Sequence, residues 1–173
     1  MRARLQASFV AGAVAILLNT ALLKLADAIA LPTAHGGLLR LIMPWMARPM
    51  KLSRVAFAWR HIGGPPADAP LFQVGFHLAV GMAMAVFYAF AVEPLLRGPA
   101  VVKGLIYAAA VWLLNAAVVL PVTGEGFAGS SHLSLAGMAW FAAAHTVFFV
   151  VLSVLYGALR ARCDGEQDLM IAR

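Results

Sequence analysis

His77 and His145 each lie inside a long uncharged run, Leu71 to Val92 and Leu133 to Leu159. An imidazole can ligate a divalent metal or a haem iron, or pass a proton. Two of them on facing helices have the chemistry for any of these roles. The plainer reading is a pair of neutral imidazoles, each bonded to a hydroxyl or a backbone carbonyl of a neighbouring helix. Counted from the expected helix ends, the two histidines differ in depth by about 9 Å at the helical rise, an awkward offset for axial ligands of one haem. No cofactor is therefore predicted, with haem or a divalent metal as the alternative.

The other polar residues of the apolar runs each have a functional and a structural reading. Lys24 and Asp27 stand three apart, so they can pair on one helix face; a structural pair is the simpler reading and a transport site the sharper one. Asn19 and Asn115 suit interhelical hydrogen bonds. Glu93 precedes Pro94 and lies near Arg97 and Lys103, as a solvated carboxylate at a helix end would. With four spans, His35, His61, His77, Glu125 and His132 all fall toward one end, with Asp27 beside them. Histidine and carboxylate are metal-ligating types, but their spacing here matches no defined motif.

Enzyme signatures are absent. The chain has no GxSxG, no P-loop and no HExxH. Ser130, Ser131 and His132 adjoin one another, but a triad is made by geometry, not adjacency. The one cysteine, Cys163, excludes an intrachain disulfide and any CxxC motif. No catalytic residue is assigned.

One further motif is Leu120-Pro121-Val122-Thr123-Gly124, which spells the LPxTG of sortase substrates. Such a signal follows an exported soluble domain, whereas here three apolar runs precede it. Pro121 ends a helix, Gly124, Gly126 and Gly129 suit a tight reversal, and Ser130 or Ser131 can cap the helix that follows. The stretch reads as a hairpin loop whose one carboxylate is Glu125.

The elements that must position these groups are helices. Of the residues, 63% are hydrophobic and 12% charged, with a mean hydropathy of +0.88. A soluble domain is nearer half apolar and a quarter charged. The pattern predicts an all-α polytopic transmembrane bundle with four spans, at about 7–31, 71–96, 101–120 and 133–159. Residues 1–162 form one integral membrane domain and 163–173 a flexible polar tail. The first run has a basic start and an Ala28-Ile29-Ala30 site, but Asn19, Lys24 and Asp27 make it a poor signal peptide. Residues 38–60 mix Arg40, Arg48, Lys51 and Arg54 with large apolar residues, as a segment lying in the headgroup region does. Arg48, Lys51 and Arg54 are its expected contacts to anionic lipid.

Charge then sets orientation. Arg2, Arg4, Arg97, Lys103, Arg160 and Arg162 share one side of the four-span scheme, which places both termini in the cytoplasm. The basic 38–60 segment would then lie on the outer leaflet, the alternative being that the first span does not cross as drawn. The net charge of +6 reflects this distribution rather than a nucleic-acid face. Small residues recur four apart as Gly75, Ala79 and Ala83, as Gly81, Ala85 and Ala89, and as Gly104 and Ala108, with Ala136, Gly137 and Ala144 in the last span. Such stripes allow close helix contact, within the bundle or in a homodimer or larger membrane complex. The preference for arginine over lysine and the abundance of alanine suit a GC-rich bacterial source.

One resemblance covers residues 71–162. The run Gly75-Phe76-His77-Leu78-Ala79-Val80-Gly81 is followed by Tyr88, by Lys103-Gly104-Leu105-Ile106-Tyr107 and by Trp112. Pro121 then closes the third span, and His145 precedes Tyr156-Gly157. Together they resemble small bacterial inner-membrane proteins of the YagU-like and related domain-of-unknown-function type. The resemblance implies a class without a reaction, and marks His77, Tyr88, Tyr107, Trp112, Pro121, His145 and Tyr156 for mutation. The expectation is a small non-enzymatic membrane protein with an accessory or envelope role. The alternatives are a transporter or a metal- or haem-binding protein using His77 and His145, and, less favoured, a lipid-modifying enzyme.

Overall fold

The computed structural model describes residues 1–33 and 69–171, with side chains to residue 162. Four helices long and apolar enough to cross a membrane dominate it: α1 (Arg2–Ala28), α2 (Pro70–Leu95), α3 (Ala100–Val122) and α4 (Leu135–Ile171), the last apolar as far as Arg162. Even α3, with 23 residues, is about 35 Å long, enough for a hydrocarbon core of about 30 Å. Among the described residues there is no strand. The expected fold class is the one observed. The 38–60 segment, with Arg48, Lys51 and Arg54, and both His35 and His61 lie outside the described residues.

The ends differ from expectation in three places. α1 begins at Arg2, because a terminal arginine can project past the apolar surface without breaking the helix. It closes with Leu31 N–H on the Ala26 carbonyl at 2.9 Å and Ala30 N–H on that of Asp27 at 3.1 Å, the paired bonds of a Schellman turn. α4 is capped by Ser134, whose Oγ accepts the Gly137 N–H at 3.1 Å, not by Ser130 or Ser131. Those two serines are used in the loop, where a 3-10 turn (Phe127–Gly129) delays the helix. Finally, the helical backbone of α4 continues past the expected end of the span near 159, to Ile171. Good helix formers, Glu166, Gln167, Leu169 and Met170, outweigh the single Gly165 there.

α2 and α3 each contain one π-helical turn, Tyr88–Val92 and Asn115–Val119. Each turn ends two residues before a proline, Pro94 or Pro121. A proline in a helix has no N–H to donate, and its ring strikes the carbonyl four residues back. Widening the helix by one residue just before it relieves both problems.

Small residues decide the packing. α1 lies against α2 and α4, and α3 against α4. The buried stripe of α1 is Ala7, Ala11, Ala15 and Asn19, four apart. A Cβ on Gly12 would stand 2.6 Å from that of Ala85, and one on Gly104 would stand 2.8 Å from the Phe149 carbonyl oxygen. On α2 the inward stripe is Gly81, Ala85 and Ala89, whereas Gly75, Ala79 and Ala83 face outward. The wider α2–α3 side is filled by aromatics. Tyr107 lies 6.0 Å from Tyr88 and 4.4 Å from Phe149, ring centre to ring centre.

Gly104→Leu should therefore lower the unfolding free energy by about 1–3 kcal/mol, the usual range for an overpacked interior. Gly75→Leu, where a Cβ meets nothing within 4 Å, should leave it within about 0.5 kcal/mol. Reversible unfolding in detergent distinguishes the two.

Candidate functional site

Three groups of polar side chains sit at three levels of the bundle. The first lies where α2 turns into α3. Lys103 Nζ meets Glu93 Oε1 at 2.7 Å, and the Tyr88 hydroxyl donates to Glu93 Oε2 at 2.5 Å. Lys103 and Glu93 keep only 12% and 29% of their side-chain exposure, so this is an enclosed pair and not the solvated carboxylate expected. Tyr88 is fully buried, and Ser153 lies within hydrogen-bonding reach of it. Tyr156 packs edge-on to the Tyr88 ring at 5.6 Å.

The Tyr88–Glu93 bond explains itself through the π turn. Residues five apart point about 140° away from one another on an α-helix. In the wider π turn they come nearly into line, so the Pro94 that forces the turn also delivers Glu93 to Tyr88. Tyr107 donates its hydroxyl at 3.3 Å to the Met84 carbonyl, which also accepts the Tyr88 N–H.

The second group lies deeper, between α1, α2 and α4. His77 Nε2 is 3.1 Å from Asn19 Oδ1. His145 Nδ1 is 2.8 Å from the Phe141 carbonyl oxygen. A carbonyl can only accept, so this bond places the His145 proton on Nδ1 and leaves Nε2 with a free lone pair. His77 and His145 each stand eleven residues before a tyrosine, Tyr88 and Tyr156, and those two rings meet edge-on at 5.6 Å. The histidines' expected offset of about 9 Å does not survive the observed register. Trp140 Nε1 donates to the Leu22 carbonyl at 3.0 Å, which levels residue 140 with residue 22. Following the antiparallel pair inward brings His145 to within about 3 Å of the level of Asn19, and so of His77. Asn19 is 1% exposed, and its Nδ2 has no hydrogen-bond partner.

The third group caps the opposite end. Glu125, 8% exposed, meets His132 Nδ1 through Oε2 at 2.9 Å. Gly124 and Gly126, at φ 84° and 74°, turn the chain so that the carboxylate folds back under the loop; a Cβ on Gly126 would strike the Ser130 and Ser131 hydroxyls. Lys24 and Asp27 pair at 3.2 Å on the exposed side of α1, as their spacing predicted. Asn115 differs from expectation: it opens the π turn of α3 and, among the described residues, makes no side-chain hydrogen bond. Among the described residues, no three of His, Cys, Asp and Glu converge as a metal site.

Of the residues the sequence singles out, Lys24 pairs with Asp27 and Glu125 with His132, whereas His77 bonds to Asn19 and His145 to the Phe141 carbonyl. The sequence places Glu93 near Lys103 as a solvated carboxylate and marks Tyr88 only through the resemblance, without joining the three, and it gives Asn19 only a structural role. Pro94, two residues beyond the π turn, was the available signal for the first group. No known protein family, curated protein or solved structure matches the chain.

Lys103→Met should destabilise the protein more than the double change Glu93→Gln/Lys103→Met, because the single change strands a half-buried carboxylate. A double-mutant cycle on unfolding should return a coupling of about 1–3 kcal/mol.

Proposed function

We propose that this chain is a non-enzymatic accessory protein of the bacterial cytoplasmic membrane, inserted with both termini in the cytoplasm, and that it works by packing against another membrane-embedded helix. The observation that carries this reading is the outward face of α2. Gly75, Ala79 and Ala83 are exposed at four-residue spacing. Ala79, Ala83 and Ala91 floor a groove whose walls include Phe9 of α1 and Phe87 and Phe90 of α2. Lipid tails are as apolar as leucine, so lipid exposure gives no reason for small residues there; close approach of a second helix does. Charge supports the orientation, since Arg2, Arg4, Arg97, Lys103, Arg160 and Arg162 occupy one end by topology.

Photo-crosslinking in native membranes tests this. A benzophenone side chain at Ala79 should give one product of defined mass, either a dimer of this chain or a complex with one partner. The product should disappear with Ala83→Leu and should not form from Leu113, an exposed residue of α3. Capture of lipid alone from Ala79 would contradict the reading.

A further inference from the structure

We propose that His77, His145 and the carboxamide of Asn19 form a binding site for one divalent transition-metal ion, Zn2+ by ligand chemistry, inside the bundle. This goes beyond the accessory role, which the outer face of α2 carries independently.

Four observations converge. His145 is already set as a ligand: its Nδ1 proton is held by the Phe141 carbonyl at 2.8 Å, which leaves the Nε2 lone pair free. Metal-bound histidines are oriented by this kind of backbone bond. Second, His77 Nε2 and Asn19 Oδ1 stand 3.1 Å apart. Two atoms each about 2.0–2.2 Å from one metal lie about 3.3–3.6 Å apart at two vertices of a tetrahedron. The pair is therefore a few tenths of an ångström short of such an edge; for a metal to bind, the His77 proton moves to Nδ1 and the imidazole turns so that the freed Nε2 lone pair faces the ion beside Asn19. Third, the register brings both histidines to one level: each stands eleven residues before one of the two tyrosines, Tyr88 on α2 and Tyr156 on α4, whose rings meet edge-on at 5.6 Å. Finally, Asn19 is 1% exposed and keeps an amide N–H without a partner. A metal's fourth position holds water or hydroxide, and that oxygen is an acceptor for this N–H.

The ligand types choose among metals. Imidazole with an oxygen donor suits Zn2+ and its neighbours, whereas Mg2+ and Ca2+ want oxygen only. Haem fits less well. A haem would have to lie between the two imidazoles, where the buried carboxamide of Asn19 already stands against His77. Three neutral ligands leave the ion's charge uncompensated in an apolar surrounding, so a metal-bound hydroxide, which halves that charge, is favoured over water at neutral pH.

The test uses the intact, tag-free protein in detergent, stripped of metal and titrated with Co2+ as the visible-absorbing substitute for Zn2+. One Co2+ per chain with tetrahedral visible bands, displaced by one Zn2+, is expected. His77→Gln and His145→Gln should each raise the Kd at least 100-fold with unchanged helical circular dichroism, and Asn19→Leu about 10-fold. His132→Ala, which removes the exposed histidine of the loop, should leave binding unchanged. No stoichiometric Co2+ or Zn2+, full binding in either histidine variant, or loss of binding in His132→Ala would overturn the proposal. Should the histidine variants fail to fold, X-ray absorption of the wild-type Zn2+ form decides: two imidazoles in the shell support the site, and fewer than two refute it.

Discussion

In an apolar solvent nothing drives one apolar helix onto another except close contact, and close contact requires that side chains be small where backbones meet. The rest of this structure depends on that constraint. Ala7, Ala11 and Ala15 let α1 lie against both α2 and α4, and Gly104 lets α3 press onto the Phe149–Ser153 turn of α4. These contacts fix how far each helix slides along its neighbour. A slide of one turn would move a polar group by about 5.4 Å, enough to separate the pairs that join two helices, His77 with Asn19 and Lys103 with Glu93.

The polar groups are consequences of that register. Asn19 continues the Ala7–Ala11–Ala15 stripe by one more step of four, so the same face that packs as alanine delivers a carboxamide to His77. Glu93 reaches Tyr88 through the π turn that Pro94 imposes. In each case an apolar or steric rule places a polar atom, and the hydrogen bond follows. The arrangement also separates the work of the two faces of α2. Gly81, Ala85 and Ala89 close the bundle, while Gly75, Ala79 and Ala83 remain outside it.

The four helices were legible in the sequence because a long uncharged run has few other uses. Lys24 and Asp27 were legible because three-residue spacing defines one helix face. What was not legible came from tertiary geometry. Two small-residue stripes on α2 look alike in sequence, and only the position of α1 makes one inward. Depth counted from helix ends misplaced His145 relative to His77, because the helices do not end level. Tyr88 and Glu93 stand five apart, a spacing that predicts no contact on an α-helix. Ser134 was missed as the α4 cap because the loop takes a 3-10 turn before the helix begins.

The central claim is that small-residue contacts hold the helices in a single register. Ala100 and Gly157 mark it at the α3–α4 contact, where a Cβ on Gly157 would stand 3.7 Å from that of Ala100, near the mean Cβ separation of a disulfide. The most direct measurement is oxidative crosslinking in membranes of Ala100→Cys/Gly157→Cys, in a Cys163→Ser background. Near-complete disulfide formation is expected for this pair and none for Ala100→Cys/Val154→Cys, whose second position faces outward. Efficient crosslinking of the second pair, or failure of the first, would contradict that claim.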